Sequence, residues 1–415
     1  MRDHRLPLIA ALIFGLAYVF VTPPFRVPDE VLHFWRADAI AMGHFLPNGG
    51  GKPDSAHIPQ GLKTLVWVMS WVEVKVTRPQ FRTAYEIPLE PVKEPLVQFP
   101  AWYTPVPYIP QAITAAVARL LNVRPLIIFY AGRVANVVAA LAMIGISLRL
   151  ASAFRTVIAA VALLPMTLFE FASWSADAMT IAASILFITL LRSREDTALL
   201  GTTGIIVGLC KPAYFLTALL ARRRVIVLVV LCVFVATVAA FAYAHLAAYQ
   251  QRTDLPIDPA SQLRCVTSDP FHFLGVITKD LRRHCWWYLE GTIAHLGLSE
   301  VTLPLVITWL ELLMLVWVGI SNGLAIDVRT RVLMIAIFIV TSIGVMLSQY
   351  LIWSAICGDA IEGVQGRYFL PVLPLALLSM RIPAVRRAPP MALVVAVAAV
   401  ANTIALFALV RRYWW

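Results

Sequence analysis

The sequence predicts an all-α polytopic membrane protein with about eleven transmembrane helices. Hydrophobic residues make up 60% of the 415 residues and charged residues only 14%, against about 45–50% and 25% in soluble domains. The mean hydropathy is +0.79. The formal charge is +11, but the arginines crowd the ends of apolar runs, where membrane proteins keep them. This composition excludes a soluble enzyme, a disordered protein and a typical nucleic-acid-binding protein.

The predicted spans follow one another along the whole chain. A helix that crosses the hydrocarbon core needs about 20 predominantly apolar residues. Such runs lie at residues 6–22, 125–149, 156–172, 178–191, 225–247, 301–320, 332–352, 367–380 and 391–410. Residues 199–221 form a further apolar stretch that Lys211 and Pro212 interrupt, so we predict a hairpin of two short helices with Lys211 at its tip. Residues 6–22 lack a small-residue cleavage site, which favours an uncleaved first span over a signal peptide.

The placement of the arginines predicts the topology of the chain. Arg2 and Arg5 keep the N-terminus in the cytoplasm. Residues 101–121 carry three prolines, and we expect them to lie along the outer surface, because the arginine-rich turns that follow are then cytoplasmic. The external loops are residues 23–124, 172–177, 248–300 and 353–366, some of which should carry juxtamembrane helices. We therefore expect a multi-pass protein of the bacterial inner membrane whose functional residues face the periplasm.

The first external loop contains two acidic residues at the predicted start of a helix. Pro28, Asp29 and Glu30 favour a helix N-terminus, because acids in the first turn complement the helix dipole. Asp29, His33 and Arg36 then share one face of that helix. The two acids have two interpretations, as caps of the helix or as functional groups at the membrane surface. Glu30 and His33 resemble half of a di-iron motif, but the sequence has no second copy, so we predict no metal site.

Three further ionisable residues lie at the outer ends of predicted spans. Asp177 precedes a span, where it either caps that helix or serves a site. Lys211 lies in an apolar stretch, and such charges usually serve a site, although its amine could also reach the interface. Arg367 enters a span beside Gln365 and Tyr368. Its guanidinium suits a phosphate at the level of the lipid headgroups, or it simply contacts lipid.

The five cysteines fall into two groups. Cys210 and Cys232 lie within apolar runs and are typical of small core residues. Cys265 and Cys285 share one predicted external loop, and Cys357 lies in another. Because an oxidising compartment permits disulfides, we predict a bond between Cys265 and Cys285.

Motifs near both ends of the chain resemble one family of bacterial membrane proteins, the domain of unknown function DUF2142. They are Pro-Pro-Phe-Arg-Val-Pro-Asp-Glu-Val-Leu-His-Phe at residues 23–34, Ala176-Asp177-Ala178, Lys211-Pro212, and Val-Gln-Gly-Arg-Tyr-Phe-Leu-Pro at residues 364–371. The resemblance extends from about residue 6 to residue 380. This family is in turn similar in layout to the GT-C glycosyltransferases, polytopic enzymes that use polyprenyl-phosphate-linked sugars at the outer face of the membrane.

The resemblance to GT-C enzymes implies a role for each of these residues. Asp29 or Glu30 would be the base that deprotonates an acceptor hydroxyl, and Asp177 would orient the acceptor or a cation next to Asp29. The donor phosphate and the rest of the substrate would be bound by His33, Arg36, Tyr103, Lys211, Gln365, Arg367 and Tyr368. Residues 1–380 would form the catalytic region, and residues 381–415 a basic loop and the last helix. Because the predicted topology places Asp29, Asp177, Lys211 and Arg367 at the same membrane level, we expect these four to converge on one cavity open to the outer face and to lipid.

The function implied by the resemblance is a membrane glycosyltransferase. It would move a sugar from a polyprenyl-phosphate donor to a hydroxyl group of a cell-envelope polysaccharide, such as an O-antigen, or of a lipid-linked acceptor. Its partners would be the donor, the acceptor and membrane lipid, without nucleic acid. The resemblance names no cofactor, and it leaves a requirement for a divalent metal ion open. The alternatives are a transporter or flippase of lipid-linked glycans, which would want polar residues along several helices at the midplane, and a structural partner of a glycan-assembly complex.

Overall fold

The computed structural model describes residues 4–47, 54–70, 75–90, 96–99, 101–193, 197–221, 226–246 and 257–415, which are mostly helical. The α-helices of these residues are, in order, α1 (Arg5–Val21), α2 (Glu30–Ala41), α3 (Gln60–Ser70), α4 (Arg78–Glu86), α5 (Ile109–Leu120), α6 (Pro125–Leu150), α7 (Arg155–Ala162), α8 (Pro165–Phe171), α9 (Asp177–Ser193), α10 (Thr197–Cys210), α11 (Ile226–Leu246), α12 (Pro259–Ser268), α13 (Pro270–Ala294), α14 (Leu305–Ser321), α15 (Val328–Trp353), α16 (Leu373–Ser379) and α17 (Met391–Tyr413). Short 3-10 helices occupy Val106–Tyr108, Pro212–Leu220 and Gly366–Phe369. Two antiparallel strand pairs join β1 (Asp54–His57) to β2 (Leu96–Phe99) and β3 (His295–Leu296) to β4 (Val301–Thr302).

Four helices in these ranges are long and apolar enough to cross a membrane. They span Pro125–Leu150, Val227–Ala244, Val328–Trp353 and Met391–Tyr413. Shorter apolar helices occupy Arg5–Val21, Thr197–Cys210 and Leu305–Ser321. The chain is thus a helical membrane protein, as its composition predicts, while the total of about eleven spans remains a prediction.

One of the predicted spans is interrupted in its middle. The run at residues 156–172 forms two helices, α7 and α8, because Pro165 has no N–H and cannot continue the hydrogen-bond ladder of α7. The carbonyl oxygen of Leu163 at the break accepts a hydrogen bond of 2.8 Å from Asn402 Nδ2 on α17. The break makes α8 a short, separate helix that packs against α1, α9 and α13.

Two other apolar stretches are also built from short segments. Residues 199–221 fold as predicted into a hairpin, in which α10 ends at Cys210, Lys211 is extended with φ −146°, and a 3-10 helix follows. The run at residues 367–380 starts with the 3-10 turn Gly366–Phe369 and continues as α16. Irregular backbone at membrane depth is tolerated where it is buried in protein, and these interruptions place polar side chains inside the bundle.

The end of α17 lies beside the end of α1. Trp414 Nε1 donates to the carbonyl oxygen of Val21 at 2.7 Å, and the N–H of Val76 donates to the carbonyl oxygen of Tyr413 at 2.8 Å. We call this end of the bundle the loop face, because residues 23–124 begin there. These residues contain α2 to α5, so the first region predicted as an external loop carries helices, as expected.

A close contact between α6 and the segment before α9 fixes the position of Asp177. Trp174 is completely buried, and its Nε1 donates to the carbonyl oxygen of Phe129 at 2.9 Å. Gly132 lies against the indole, because a Cβ atom at this position would stand only 2.1 Å from Trp174 Cζ2. The packed tryptophan therefore holds the start of α9 against α6.

Candidate functional site

One guanidinium on the loop face contacts three carboxylates that come from distant parts of the chain. Arg367 Nη1 lies 2.9 Å from Glu170 Oε1, and Arg367 Nε lies 3.3 Å from Asp177 Oδ2. Arg367 Nη2 lies 3.4 Å from Asp29 Oδ2. The arginine side chain is 2% exposed, and a charge this deeply buried needs such partners. We call Asp29, Glu170, Asp177, Lys211 and Arg367 the charge cluster.

Lys211 joins the charge cluster from the tip of the hairpin. Its ammonium group forms an ion pair with Asp177 Oδ1. The same nitrogen lies 5.0 Å from the ring centroids of both Tyr103 and Tyr368. A cation over an aromatic face gains about 0.5–2 kcal/mol of attraction. The lysine is therefore held by one carboxylate and two rings, and its amine does not extend freely toward the interface.

Asp29 is the exposed member of the charge cluster. Its side chain is 51% exposed, whereas those of Glu170 and Asp177 are almost completely buried. The backbone of Asp29 is left-handed, with φ 61°, a conformation that Asp and Asn adopt more readily than most other residues with a side chain. This residue immediately precedes α2. Asp29 contacts Arg367, whereas Glu30, the next residue, is buried and pairs with Arg133.

Glu30, the neighbour of Asp29, belongs to a separate buried ion pair. Its carboxylate oxygens lie 2.8 and 2.7 Å from Nε and Nη2 of Arg133 on α6. The same oxygens accept backbone N–H bonds from Phe25 at 3.0 Å and from Trp174 at 3.2 Å. Arg133 also donates to three carbonyl oxygens at the end of α1 and just beyond it. The pair therefore fastens α6 to the segment between α1 and α2.

His33 lies beside the charge cluster and is neutral. Its Nδ1 is 2.8 Å from the hydroxyl oxygen of Tyr108, and its ring stacks on Tyr103 with 6.3 Å between the centroids. Burial, opposed by the carboxylates of Asp29 and Asp177, lowers the pKa of His33 to about 4. At neutral pH the imidazole is uncharged, so His33 offers this region a hydrogen-bonding group and no positive charge.

Arg36 occupies a different place from the rest of the predicted site. Its guanidinium donates to the carbonyl oxygens of His44 and Phe45, each at 2.9 Å, and to the hydroxyl group of Tyr243. These contacts brace the turn after α2 against α11. The sequence predicts that Arg36 shares a site with Asp29 and His33. Its side chain instead holds the turn after α2 in place, and none of these contacts is with the charge cluster.

The turn that carries Arg367 is held by backbone contacts. The N–H of Tyr368 donates to the carbonyl oxygen of Gln365 at 3.1 Å, and the carbonyl oxygen of Tyr368 accepts from the hydroxyl group of Tyr214 at 2.8 Å. Gly366 packs directly against α13, because a Cβ atom there would lie 2.3 Å from the carbonyl carbon of Gly291. Gln365 and Tyr368 thus flank Arg367 in a turn with little freedom to shift.

Glu170 is the member of the charge cluster that the sequence analysis missed. The structure brings Asp29, Asp177, Lys211 and Arg367 together, as expected, and it adds Glu170 from α8. The missed signal is the presence of a carboxylate within an apolar run, since intramembrane ionisable residues usually serve a site. The break at the start of α8 hides this signal, because residues 156–172 read as one continuous span.

The charge cluster is a set of ion pairs and not a set of metal ligands. In the part of the chain that the structure describes, no group of three or more His, Cys, Asp or Glu side chains is arranged to hold a metal ion. The carboxylates of Glu170 and Asp177 face Arg367 and Lys211 instead. The residues present therefore do not fit a resident divalent cation, and the cluster's own cations supply its positive charge.

The disulfide joins a different pair of cysteines from the one predicted. Cys265 on α12 bonds to Cys357, with 5.7 Å between their Cα atoms, and Cys285 is free and exposed. The reason is the packing of α12 against the end of α15, where Gln262 Nε2 donates to the carbonyl oxygen of Tyr350 at 3.1 Å. The prediction of a Cys265–Cys285 bond is wrong, because a shared loop does not bring two thiols together.

This pairing predicts the pattern of thiol labelling. In detergent-solubilised protein that has not been reduced, we expect a maleimide to modify Cys285 and to leave Cys265 and Cys357 unmodified, as read by mass spectrometry of peptides. Closing a loop of 92 residues stabilises the folded state by about 4–5 kcal/mol in the chain-entropy model, so we expect a lower melting temperature after reduction. Cys285→Ser should remove that label and leave both the protection of Cys265 and Cys357 and the fall in melting temperature unchanged. Labelling of Cys265 before reduction would contradict the assignment.

The comparisons with known proteins give a family and no function. The model of the family described as predicted membrane protein (DUF2142) matches residues 12–376. No curated protein and no solved structure matches the chain. The match covers most of the sequence, including every residue of the charge cluster. The chain belongs to the DUF2142 family of predicted membrane proteins.

Proposed function

We propose that the protein is a membrane glycosyltransferase that moves a sugar from a polyprenyl-phosphate donor to a hydroxyl group at the periplasmic face of the bacterial inner membrane. The observation that carries the proposal is the position of one exposed carboxylate, Asp29, 3.4 Å from the buried guanidinium of Arg367. Transfer from a lipid phosphate needs a base for the incoming hydroxyl and fixed positive charge for the departing phosphate. The acceptor would be a cell-envelope polysaccharide or a lipid-linked glycan.

The two acids at the start of α2 would have different roles. Both oxygens of Glu30 are buried and already bonded to Arg133 and to backbone N–H groups. A general base must reach the proton that it removes, and the half-exposed Asp29 can do so. We therefore assign the base to Asp29 and a structural role to Glu30.

The charge balance of the cluster suggests where the donor phosphate would bind. Three carboxylates face two cations, so a phosphate must displace a carboxylate to avoid repulsion. The contact of Asp29 with Arg367 is the longest of the three, and its carboxylate is the exposed one. A phosphate oxygen would therefore replace Asp29 at Nη2 of Arg367, while Glu170 and Asp177 keep holding the guanidinium. This exchange would also free Asp29 to act as a base.

The proposed step moves one proton to Asp29 and one sugar to the acceptor oxygen. Asp29 accepts the proton of the acceptor hydroxyl while that oxygen forms a bond to the anomeric carbon of the sugar. The bond between this carbon and the donor phosphate oxygen breaks, and its electron pair remains on the polyprenyl phosphate. Arg367 and Lys211 would stabilise the charge that develops there. Asp177, which contacts both cations, would position them, which is one of the two roles expected for this residue.

The test is transfer of radiolabel by the purified protein in proteoliposomes. A panel of polyprenyl-phosphate sugars serves as donors, and an extract of envelope glycans and glycolipids serves as acceptor. We expect one class of donor to label a product, and the labelling to be lost in the Asp29→Asn variant. If no donor gives a product but the protein moves a lipid-linked glycan between leaflets, the alternative of a transporter replaces this proposal.

A further inference from the structure

Helix α13 contacts the ends of two consecutive helices, α14 and α15, at one face of the bundle. Near its start, the ring of Phe273 is 5.1 Å from that of Tyr350, in the last turn of α15. Further along, the ring of Trp286 is 5.2 Å from that of Trp309, close to the beginning of α14. The short connection 322–327 joins the end of α14 to the start of α15, so these two ends lie together. The start of α14 and the end of α15, which α13 contacts, therefore lie together at the opposite face of the bundle.

This face is the loop face, and α13 runs along it. The last turn of α15 packs in one buried cluster with Val364, just before the turn that carries Arg367, and Arg367 contacts Asp29 on the loop face. The two aromatic contacts of α13 are separated by about 20 Å along the helix, at 1.5 Å per residue. A helix that touches two membrane-helix ends so far apart lies roughly parallel to the membrane plane. Tryptophans such as Trp286 and Trp309 are enriched at this depth.

The sides of α13 differ in chemistry. One side is buried against the bundle, through Phe273, Val276 and Ile277. The exposed surface divides into two adjacent strips. An apolar strip contains Phe271, Leu274, Leu281 and Cys285, of which Phe271 is 84% exposed. A basic strip contains Lys279, Arg282 and Arg283, all exposed.

A shallow groove joins the apolar strip to the basic strip. Its volume is about 520 Å³, and its floor includes Gly275 and Thr278. A Cβ atom at Gly275 would meet no other atom within 4 Å, so the small residue leaves the surface open between the bulky side chains. The groove is lined at one end by Phe271 and Leu274 and at the other by the three cations of the basic strip.

We propose that α13 is an interfacial helix that binds anionic phospholipid, with the lipid phosphate on the basic strip and an acyl chain on the apolar strip. Helices with this division of side chains lie in the interface with the apolar side toward the acyl region. Three clustered cations complement an anionic headgroup, and each adds to the attraction. A second copy of the chain is a poor occupant, because two basic strips would repel each other. This inference does not depend on the glycosyltransferase proposal.

The first test measures the selectivity for anionic lipid. The full-length protein is extracted from nanodiscs that contain equal amounts of phosphatidylglycerol and phosphatidylcholine, and retained lipid is measured by native mass spectrometry. We expect phosphatidylglycerol to be enriched, and its apparent affinity to fall about 30-fold in Arg282→Gln/Arg283→Gln, at about five-fold for each cation. The matched control is Arg78→Gln/Arg82→Gln on α4, which should keep the enrichment. Equal retention by the two double variants would overturn the proposal.

The second test measures the depth of α13 and uses the native thiol of Cys285. A fluorophore attached to Cys285, in a Cys232→Ser background, is exposed to lipids that carry a nitroxide at the headgroup or along the acyl chain. We expect nitroxides near the headgroup to quench the fluorophore at Cys285 strongly. In the control protein, which carries Arg82→Cys and Cys285→Ser, the same fluorophore at position 82 should be quenched little. Absence of quenching at Cys285 would place α13 in water and overturn the proposal. If Cys285 became less reactive toward maleimide as the protein concentration in detergent rises, a second copy of the chain would be the occupant. That result would also overturn the proposal.

Discussion

Replacing Asp29 with asparagine should reduce sugar transfer by about 10²–10⁴-fold, the range that general-base catalysis contributes. The carboxamide keeps the shape of the side chain but cannot accept the proton of the acceptor hydroxyl. Asparagine also tolerates the left-handed backbone that Asp29 adopts, with φ 61°, so α2 should start at the same residue. The measurement is the initial rate of radiolabel transfer at saturating donor.

Asp359→Asn is the matched control for this variant, because Asp359 is a 74% exposed carboxylate on the chain outside the charge cluster. It should keep the wild-type rate. Circular dichroism and size-exclusion profiles should show that both variants are folded. A rate near that of the wild type for Asp29→Asn would exclude Asp29 as the base and would leave Arg367 without its proposed partner in the reaction.

Replacing Glu30 with glutamine should act on folding rather than on chemistry. The substitution leaves the guanidinium of Arg133 buried without its carboxylate, and breaking a buried ion pair in this way costs about 3–5 kcal/mol. We therefore expect a large fall in melting temperature and in the yield of folded protein in detergent. The sequence leaves Asp29 and Glu30 as alternative bases, whereas the structure gives the two neighbours separate contacts.

Two further variants give this expectation its controls. Glu86→Gln removes the carboxylate of an exposed pair with Arg82 on α4 and should change the melting temperature little, since exposed pairs contribute little. Glu30→Leu combined with Arg133→Met removes both buried charges and should recover part of the lost stability. A Glu30→Gln protein that melts like the wild type but does not transfer sugar would instead bring Glu30 into the reaction.

The sequence predicts the membrane class and most of the charge cluster, because both depend on composition and on residues at the ends of apolar runs. It could not distinguish Asp29 from Glu30. The two acids are adjacent, and their separate surroundings come from Arg133 on α6 and Arg367 beyond α15, which only the folded chain brings near. The sequence also could not show which cysteine bonds to Cys265. Cys285 shares a predicted loop with Cys265, but the two lie on different helices.

The count of spans is harder to read from the sequence for a physical reason. Hydropathy averages over a window, and a proline such as Pro165 barely lowers that average although it divides the helix. The same averaging hides Glu170, whose charge is diluted by the apolar residues around it. Local breaks and single buried charges are therefore the features that pattern analysis loses first.

The interrupted segments have a consequence for how this sequence can change over time. The members of the charge cluster lie on α8, at the first residue of α9, at the hairpin tip, in a 3-10 turn and just before α2. None of them lies on the four long helices that are able to cross a membrane. We expect a mutational scan to find that apolar exchanges on the lipid-facing sides of those helices are tolerated, while the short segments accept few replacements. The lipid-facing residues of the long helices could then change during evolution while the residues of the charge cluster stay the same.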